Sequence, residues 1–167
     1  NQMDTLLCLQ EDVWDGLSAT QRLDVLQTVA NIERRYLGIP HALPVSAANL
    51  EDGTLGTYDS ENQEILLNLE NLSRDPALEM LEVVCHEAYH GYQHCLVYAL
   101  ENVPEESRQL RLFRDARAYQ EEFGNYQDGS SGFLAYYAQD CELDARDYAE
   151  EAVADYSRRL EEYRAQQ

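Results

Sequence analysis

The chain contains no lysine: all twelve basic residues are Arg, set against 32 Asp and Glu, giving a formal net charge of −20 over 167 residues. The negative charge is spread along the chain without a single acidic tail, which argues against binding to nucleic acid or to an anionic membrane surface. No apolar run approaches the roughly 20 residues that span a bilayer, so no membrane insertion is expected in this segment. Nothing at the start resembles a signal peptide. The chain opens Asn1-Gln2-Met3 without an initiator Met, which suggests a trimmed leader; the compartment stays open, with an extracytoplasmic bacterial location favoured over a cytoplasmic one. The four cysteines, Cys8, Cys85, Cys95 and Cys141, lack the paired spacing of a metal ribbon or a redox couple. Cys85 and Cys95 read as buried helix residues, and a Cys8 to Cys141 disulfide is one possibility. Repeats and low-complexity linkers are absent, and the length suits one domain, 1–167, rather than two.

What is present centres on Val84-Cys85-His86-Glu87-Ala88-Tyr89-His90-Gly91-Tyr92-Gln93, a His-Glu-x-x-His pattern inside an apolar, helix-forming run. Residues four apart on a helix sit roughly 40° apart around the axis and about 6 Å apart along it, so His86 and His90 project from one face and can share one Zn²⁺. Glu87 falls beside such a metal, where a carboxylate can serve as general base. The apolar flanks Leu78, Met80, Leu81, Val83 and Val84, with Asp75-Pro76 as N-cap and first-turn proline, predict a buried helix over about 76–101. The competing reading, two hydrogen-bonded core histidines and an ordinary Glu, leaves three polar groups to satisfy in the core.

Around this helix the patterning predicts a mainly helical α+β chain. Residues 1–16 read as a short helix or irregular arm anchored by Leu6, Leu7, Leu9, Val13 and Trp14, part of an N-terminal helical region over 1–49. Ser18-Ala19-Thr20-Gln21 is a capping box opening a helix with Leu23, Leu26, Val29, Ala30, Ile32 or Glu33, and Tyr36 inward, ended by Gly38-Ile39-Pro40. A strand is possible over Leu43–Ala47. Gly53–Tyr58 and Glu64–Leu69 flank the turn-rich Asp59–Asn62 and read as a hairpin or two sequential strands. Past the motif helix come a helix over about 105–123, a loop over 124–132 containing Asp128-Gly129-Ser130-Ser131-Gly132, and a long helix from Phe133 to about Arg164.

Catalytic zinc requires a third protein ligand. Steps of three and four from Glu142 meet Ala138, Ala145, Ala149, Ala152, Val153 and Tyr156, an apolar stripe, so Glu142 faces the core. Asp144 shares its stripe with Asp140, Cys141, Tyr148, Glu151 and Asp155 and is the alternative; a Glu142–Arg146 ion pair at i, i+4 is the non-metal reading. His94, about 12 Å along the axis from His86, is too far to share one metal at bonds of about 2 Å, and with Gln93 reads as a groove-lining or supporting group. His41 reads as a surface loop residue.

His86-Glu87-x-x-His90 followed by Glu142-x-x-Ala145-x-x-Tyr148-Ala149 resembles the gluzincin metallopeptidases, in particular the small ImmA/IrrE-type minimal zincins, with Arg146 at the place of their usual Asn. The resemblance extends to the Gly56-x-Tyr58-Asp59…Ile65-x-Leu67-Asn68 hairpin and covers about residues 50–155. It implies a zincin core with a small hairpin or sheet packed on the motif helix and a long C-terminal helix. It implies one Zn²⁺ per chain on His86, His90 and Glu142, with Glu87 as base of a zinc-dependent endopeptidase acting on a peptide or protein. Tyr136, Tyr137, Tyr148 and Arg146 are then candidates for stabilising the oxyanion or supporting the site, and Leu66-Leu67-Asn68-Leu69 is expected as an edge strand that binds extended substrate. The rival expectations are a zinc-binding interaction scaffold with a site shielded by the 102–132 excursion, and a helical interaction domain without metal. Oligomeric state is not readable.

Overall fold

The computed structural model describes residues 1–130 and 132–167; Ser131, inside the expected 124–132 loop, lies outside the described residues. The chain is α+β and mostly helical. Two short helices, α1 (Gln2–Leu6) and α2 (Glu11–Trp14), lead into α3 (Ala19–Leu37). The capping box forms as expected: Gln21 N–H donates to Ser18 Oγ at 3.2 Å and Ser18 N–H to Gln21 Oε1 at 2.9 Å. Gly38 closes α3 at φ 71°, a left-handed conformation that glycine adopts without a Cβ penalty.

The expected inward stripe of α3 holds at Leu26, Val29, Ala30 and Glu33, which are buried; Tyr36 departs from it at 78 % exposed, and Arg22 is buried as well. Both charges have partners that repay the burial. The Arg22 guanidinium donates to the carbonyls of Trp14 and Leu72 and lies 4.8 Å from the Trp14 ring centroid. Glu33 accepts hydrogen bonds from the hydroxyls of Tyr148 and Tyr156.

Three strands follow: β1 (Val45–Ala48), β2 (Gly56–Asp59) and β3 (Glu64–Asn68), in the order β1-β3-β2. β1 runs parallel to β3 and β2 antiparallel to it. The hairpin is therefore present, but the expected edge strand is not: Leu66, Leu67 and Asn68 lie in the central strand, and Leu69 opens α4 (Leu69–Arg74), whose first turn is capped by the Asn68 side chain. The edge beside the motif helix is β2. Its turn is held by Asp59 Oδ1, which accepts from Glu61 N–H at 2.9 Å and Asn62 N–H at 3.1 Å.

The motif helix α5 (Ala77–Glu101) is the axis of the molecule, packed against α3, α6 (Arg114–Gly124), α8 (Asp140–Ala165) and β2. Met80, Leu81, Val84, Cys85 and Ala88 on α5 are fully buried, as are Ala145 and Ala149 on α8, whose small side chains let the two helices approach closely. One core cluster runs from Leu6 through α3, the sheet and α5 to Leu160; a smaller one joins Val97, Tyr119 and Cys141. All four cysteines are free thiols, and Cys8 and Cys141 belong to different clusters, so the Cys8 to Cys141 bridge is not formed.

Two expected helices are broken. The 105–123 helix is two 3-10 turns, Glu105–Ser107 and Arg111–Phe113, before α6 begins at Arg114. The 133–164 helix is a short α7 (Phe133–Tyr137) and then α8, with Gln139 extended between them. Long-range bonds cause this second break. The Gln139 side chain accepts from Gln127 N–H and donates to Gln127 C=O, both at 2.9 Å. Glu122 of α6 then caps α8 from outside, accepting from Asp140 N–H at 2.7 Å and Cys141 N–H at 2.8 Å. Glu122 thus satisfies amides that a helix start leaves orphaned, and a negative charge there suits the helix dipole. The restart puts Glu142 in the first turn of α8, opposite His86 and His90. No helix among the described residues is long and apolar enough to cross a membrane.

Candidate metal centre

Three side chains from two helices converge. His86 Nε2 lies 3.2 Å from Glu142 Oε2, His90 Nε2 lies 3.3 Å from Glu142 Oε1, and the two Nε2 atoms are 3.0 Å apart. Zinc bonds of about 2.0–2.2 Å in tetrahedral arrangement place neighbouring donors about 3.3–3.6 Å apart, so these residues fit one zinc after shifts of a few tenths of an ångström. The donor chemistry agrees: two borderline imidazoles and one carboxylate. Glu142 is 1 % exposed, and an ionised carboxylate at that depth is stable only beside positive charge. A protonated His90 or a bound cation would supply that charge. Burial pulls the His90 pKa down, but bonding to Glu142 and the charges of Glu87 and Glu142 overcome it and hold the value at about 9. Burial likewise acts to raise the Glu142 carboxyl, and the two histidines outweigh it and keep it well below the usual carboxylate range.

Gln93, fully buried one turn beyond His90, orients the site. Its Nε2 donates to the Cys141 carbonyl at 2.9 Å, which turns its Oε1 toward His90 Nδ1 at 2.8 Å. Nδ1 then carries the hydrogen and, in the neutral ring, Nε2 keeps its lone pair for a metal. Tyr126 donates to Glu142 Oε1 at 2.6 Å and Tyr136 to Glu142 Oε2 at 3.2 Å. Glu87 offers a carboxylate oxygen within 4.8 Å of both histidine donor atoms; it is 8 % exposed and has no hydrogen-bond partner among the described residues.

This centre borders a cleft of about 900 Å³ walled by α5, β2, the 123–129 segment and α7. β2 presents its free edge there. Asn68 N–H donates to the Leu55 carbonyl at 2.9 Å, and with the register Thr57↔Leu66 and Asp59↔Glu64 the ladder alternates so that Thr57 and Asp59 bond to β3. The N–H and C=O groups of Gly56 and Tyr58 therefore point away from β3.

The other residues singled out in the sequence fall in different places. The Asp144 carboxylate accepts from Tyr119 and is not in the cleft wall, which leaves Glu142 as the carboxylate facing the histidines. Tyr137 stacks under the Arg146 guanidinium at 3.5 Å, and Arg146 donates to the Tyr137 carbonyl; neither borders the cleft. Tyr148 is turned to Glu33 and stacks on Tyr89. His94 does border the cleft, stacked on Phe123 with centroids 4.1 Å apart, and burial together with His90 pushes its pKa down to about 4. His41 is half-buried, with Nε2 3.8 Å from Cys95 Sγ. Tyr126 is the site residue that patterning does not single out, since it sits in a loop without periodicity; Tyr136 stood among the candidates only as one of four.

No family model, no curated protein and no solved structure matches this chain.

Proposed function

We propose that this protein is a zinc-dependent peptidase that holds an extended peptide along β2 and hydrolyses it at His86, Glu87, His90 and Glu142. The observation that carries this reading is the closed triangle of two imidazole nitrogens and one carboxylate, with sides of 3.0, 3.2 and 3.3 Å, beside a Glu87 without a hydrogen-bond partner among the described residues. His86, His90 and Glu142 would hold the ion. When bound, zinc supplies Lewis acidity and brings the pKa of water toward neutrality.

The chain's own groups do the rest. Glu87 takes a proton from the attacking water and returns it to the departing amine. Gln93 keeps His90 in the tautomer that coordinates. Of the hydroxyls, Tyr126 and Tyr136 border the cleft; each has one proton, held by Glu142, and by turning it from that carboxylate can donate to charge developing on the substrate carbonyl, whereas Tyr137 and Arg146 do not border the cleft. The outward amides and carbonyls of Gly56 and Tyr58 can pair with substrate backbone by strand addition.

The test is Glu87→Gln in a peptide-library cleavage assay read by mass spectrometry, with zinc content measured in parallel. The expected result is full zinc content with turnover reduced by about 10²–10⁴-fold, the usual contribution of a general base. Turnover at the wild-type rate would remove Glu87 from the chemistry. A second reading, a zinc-binding interaction scaffold, draws on the two tyrosine hydroxyls that both bond Glu142 and crowd the centre. Wild-type protein that holds zinc but cleaves no library peptide would favour it.

A further inference from the structure

The cleft wall contains four carboxylates that the proposed chemistry does not use, Glu51, Glu79, Glu82 and Asp128, and no Arg. All four are exposed, and none forms a salt bridge among the described residues. Two of them share the motif's helical face. Glu79, Glu82, Val83, His86, Glu87 and His90 follow steps of three and four along α5, so Glu82 lies about 6 Å and Glu79 about 10.5 Å before His86 along the axis. An extended peptide rises about 3.3 Å per residue, which brings these carboxylates level with substrate residues about two and three from the reacting bond. β2 tracks the same axis: a Cβ on Gly56 would sit 2.6 Å from Val83, and one on Gly91 would sit 3.2 Å from Tyr58. The cleft is thus polarised along α5, with Glu79 and Glu82 toward its start and Tyr58, His94 and Phe123 toward its end. A second, independent feature marks it as a ligand site: Glu87, more than nine-tenths buried and without a hydrogen-bond partner among the described residues, faces into it.

From this we infer that the cleft selects cationic peptides, with Glu79 and Glu82 receiving Arg or Lys side chains two or three residues from the cleaved bond. The inference deepens the peptidase reading and rests on it for the location of the bond. The overall negative charge adds long-range attraction for such a substrate, and the two helix carboxylates provide the local selection.

Binding and cleavage separate the two claims. Zinc-loaded Glu87→Gln protein is titrated, by fluorescence anisotropy, with a labelled pool of random twelve-residue peptides carrying two Arg, and with the same pool carrying Gln in their place. The Arg pool should bind about fivefold more tightly, equivalent to about 1 kcal/mol, with the difference shrinking at high salt. Adding Glu79→Gln and Glu82→Gln should abolish most of this difference. Glu150→Gln with Glu161→Gln, an equal charge change at exposed sites outside the cleft, should preserve it. Equal binding of the two pools, or equal loss in both double variants, would overturn the inference. If Arg-selective binding is found but the wild type cleaves neither pool, the peptidase reading fails while the cationic site stands.

Discussion

Replacing Gln93 by Leu tests whether the buried amide organises the proposed metal centre. The two side chains are similar in volume, so the change removes hydrogen bonds without opening a large cavity. Two contacts disappear: the 2.8 Å bond between Gln93 Oε1 and His90 Nδ1, and the 2.9 Å bond from Gln93 Nε2 to the Cys141 carbonyl. The carbonyl lies in the first turn of α8 and retains its place in the helix ladder, so its loss is mild. The Nδ1–H of His90 keeps no partner, and an unsatisfied buried donor costs about 1–3 kcal/mol. Stability in denaturant should fall by that amount. More tellingly, the ring is no longer held with Nε2 toward Glu142, and removing such a support typically weakens metal affinity by about 10–100-fold. Zinc affinity, measured by competition with a chromogenic chelator, should drop within that range, while Gln93→Glu, which keeps an acceptor for Nδ1–H, should recover much of the loss. Affinity within twofold of wild type in Gln93→Leu would refute the argument that this amide sets the tautomer.

Two further outcomes follow from other contacts. In the metal-free protein, stability from the raised His90 pKa is full below its unfolded value near 6.5 and is lost as pH rises through about 9; stability from the depressed Glu142 pKa is present above its unfolded value near 4.5 and is lost as pH falls through the lower folded value. Thermal unfolding in chelator should therefore show a midpoint falling from about pH 6.5 to 9 while the increment given by stoichiometric zinc grows over the same range; a flat chelator profile would contradict the His90–Glu142 pair. Gly56→Ala would put a Cβ 2.6 Å from Val83 Cγ1 and 3.1 Å from the Leu66 carbonyl, and because the short branched Val83 cannot swing clear, β2 must shift from α5 at about 1–3 kcal/mol; an unchanged denaturation midpoint would show that the strand does not pack as described.

What the residues disclose on their own is what local rules govern. The Ser18–Gln21 capping box, the Gly38 stop, the hairpin around Asp59 and the long apolar α5 are all set within a few neighbours, and each is found near its expected limits. The pairing of His86 with His90 is equally local, a matter of helix pitch. Glu142 was legible one step further out, as a lone carboxylate on a face of alanines. The features left open or misread depend on partners distant in the chain. Glu33, an alternative to Ile32 as the inward residue, turns inward because Tyr148 and Tyr156 reach it, 115 and 123 positions away. The helix after Phe133 breaks because Gln127 binds Gln139 and Glu122 caps the restart. The identity of the edge strand turns on β1, whose parallel pairing with β3 excludes Leu66–Asn68 from the rim, and no hairpin pattern contains that information. Tyr126 carries no sequence signal at all, being a loop tyrosine whose meaning comes only from Glu142 opposite.

The most direct test of the central claim is zinc stoichiometry by mass spectrometry of purified, zinc-reconstituted protein, wild type beside His86→Ala, Glu142→Ala and Asp144→Ala. The account expects about one zinc per chain in the wild type and in Asp144→Ala, and loss or severe weakening in the other two. A wild type that takes up no zinc, or a Glu142→Ala variant that holds it as tightly as wild type, would contradict the three-residue centre on which the proposed function depends.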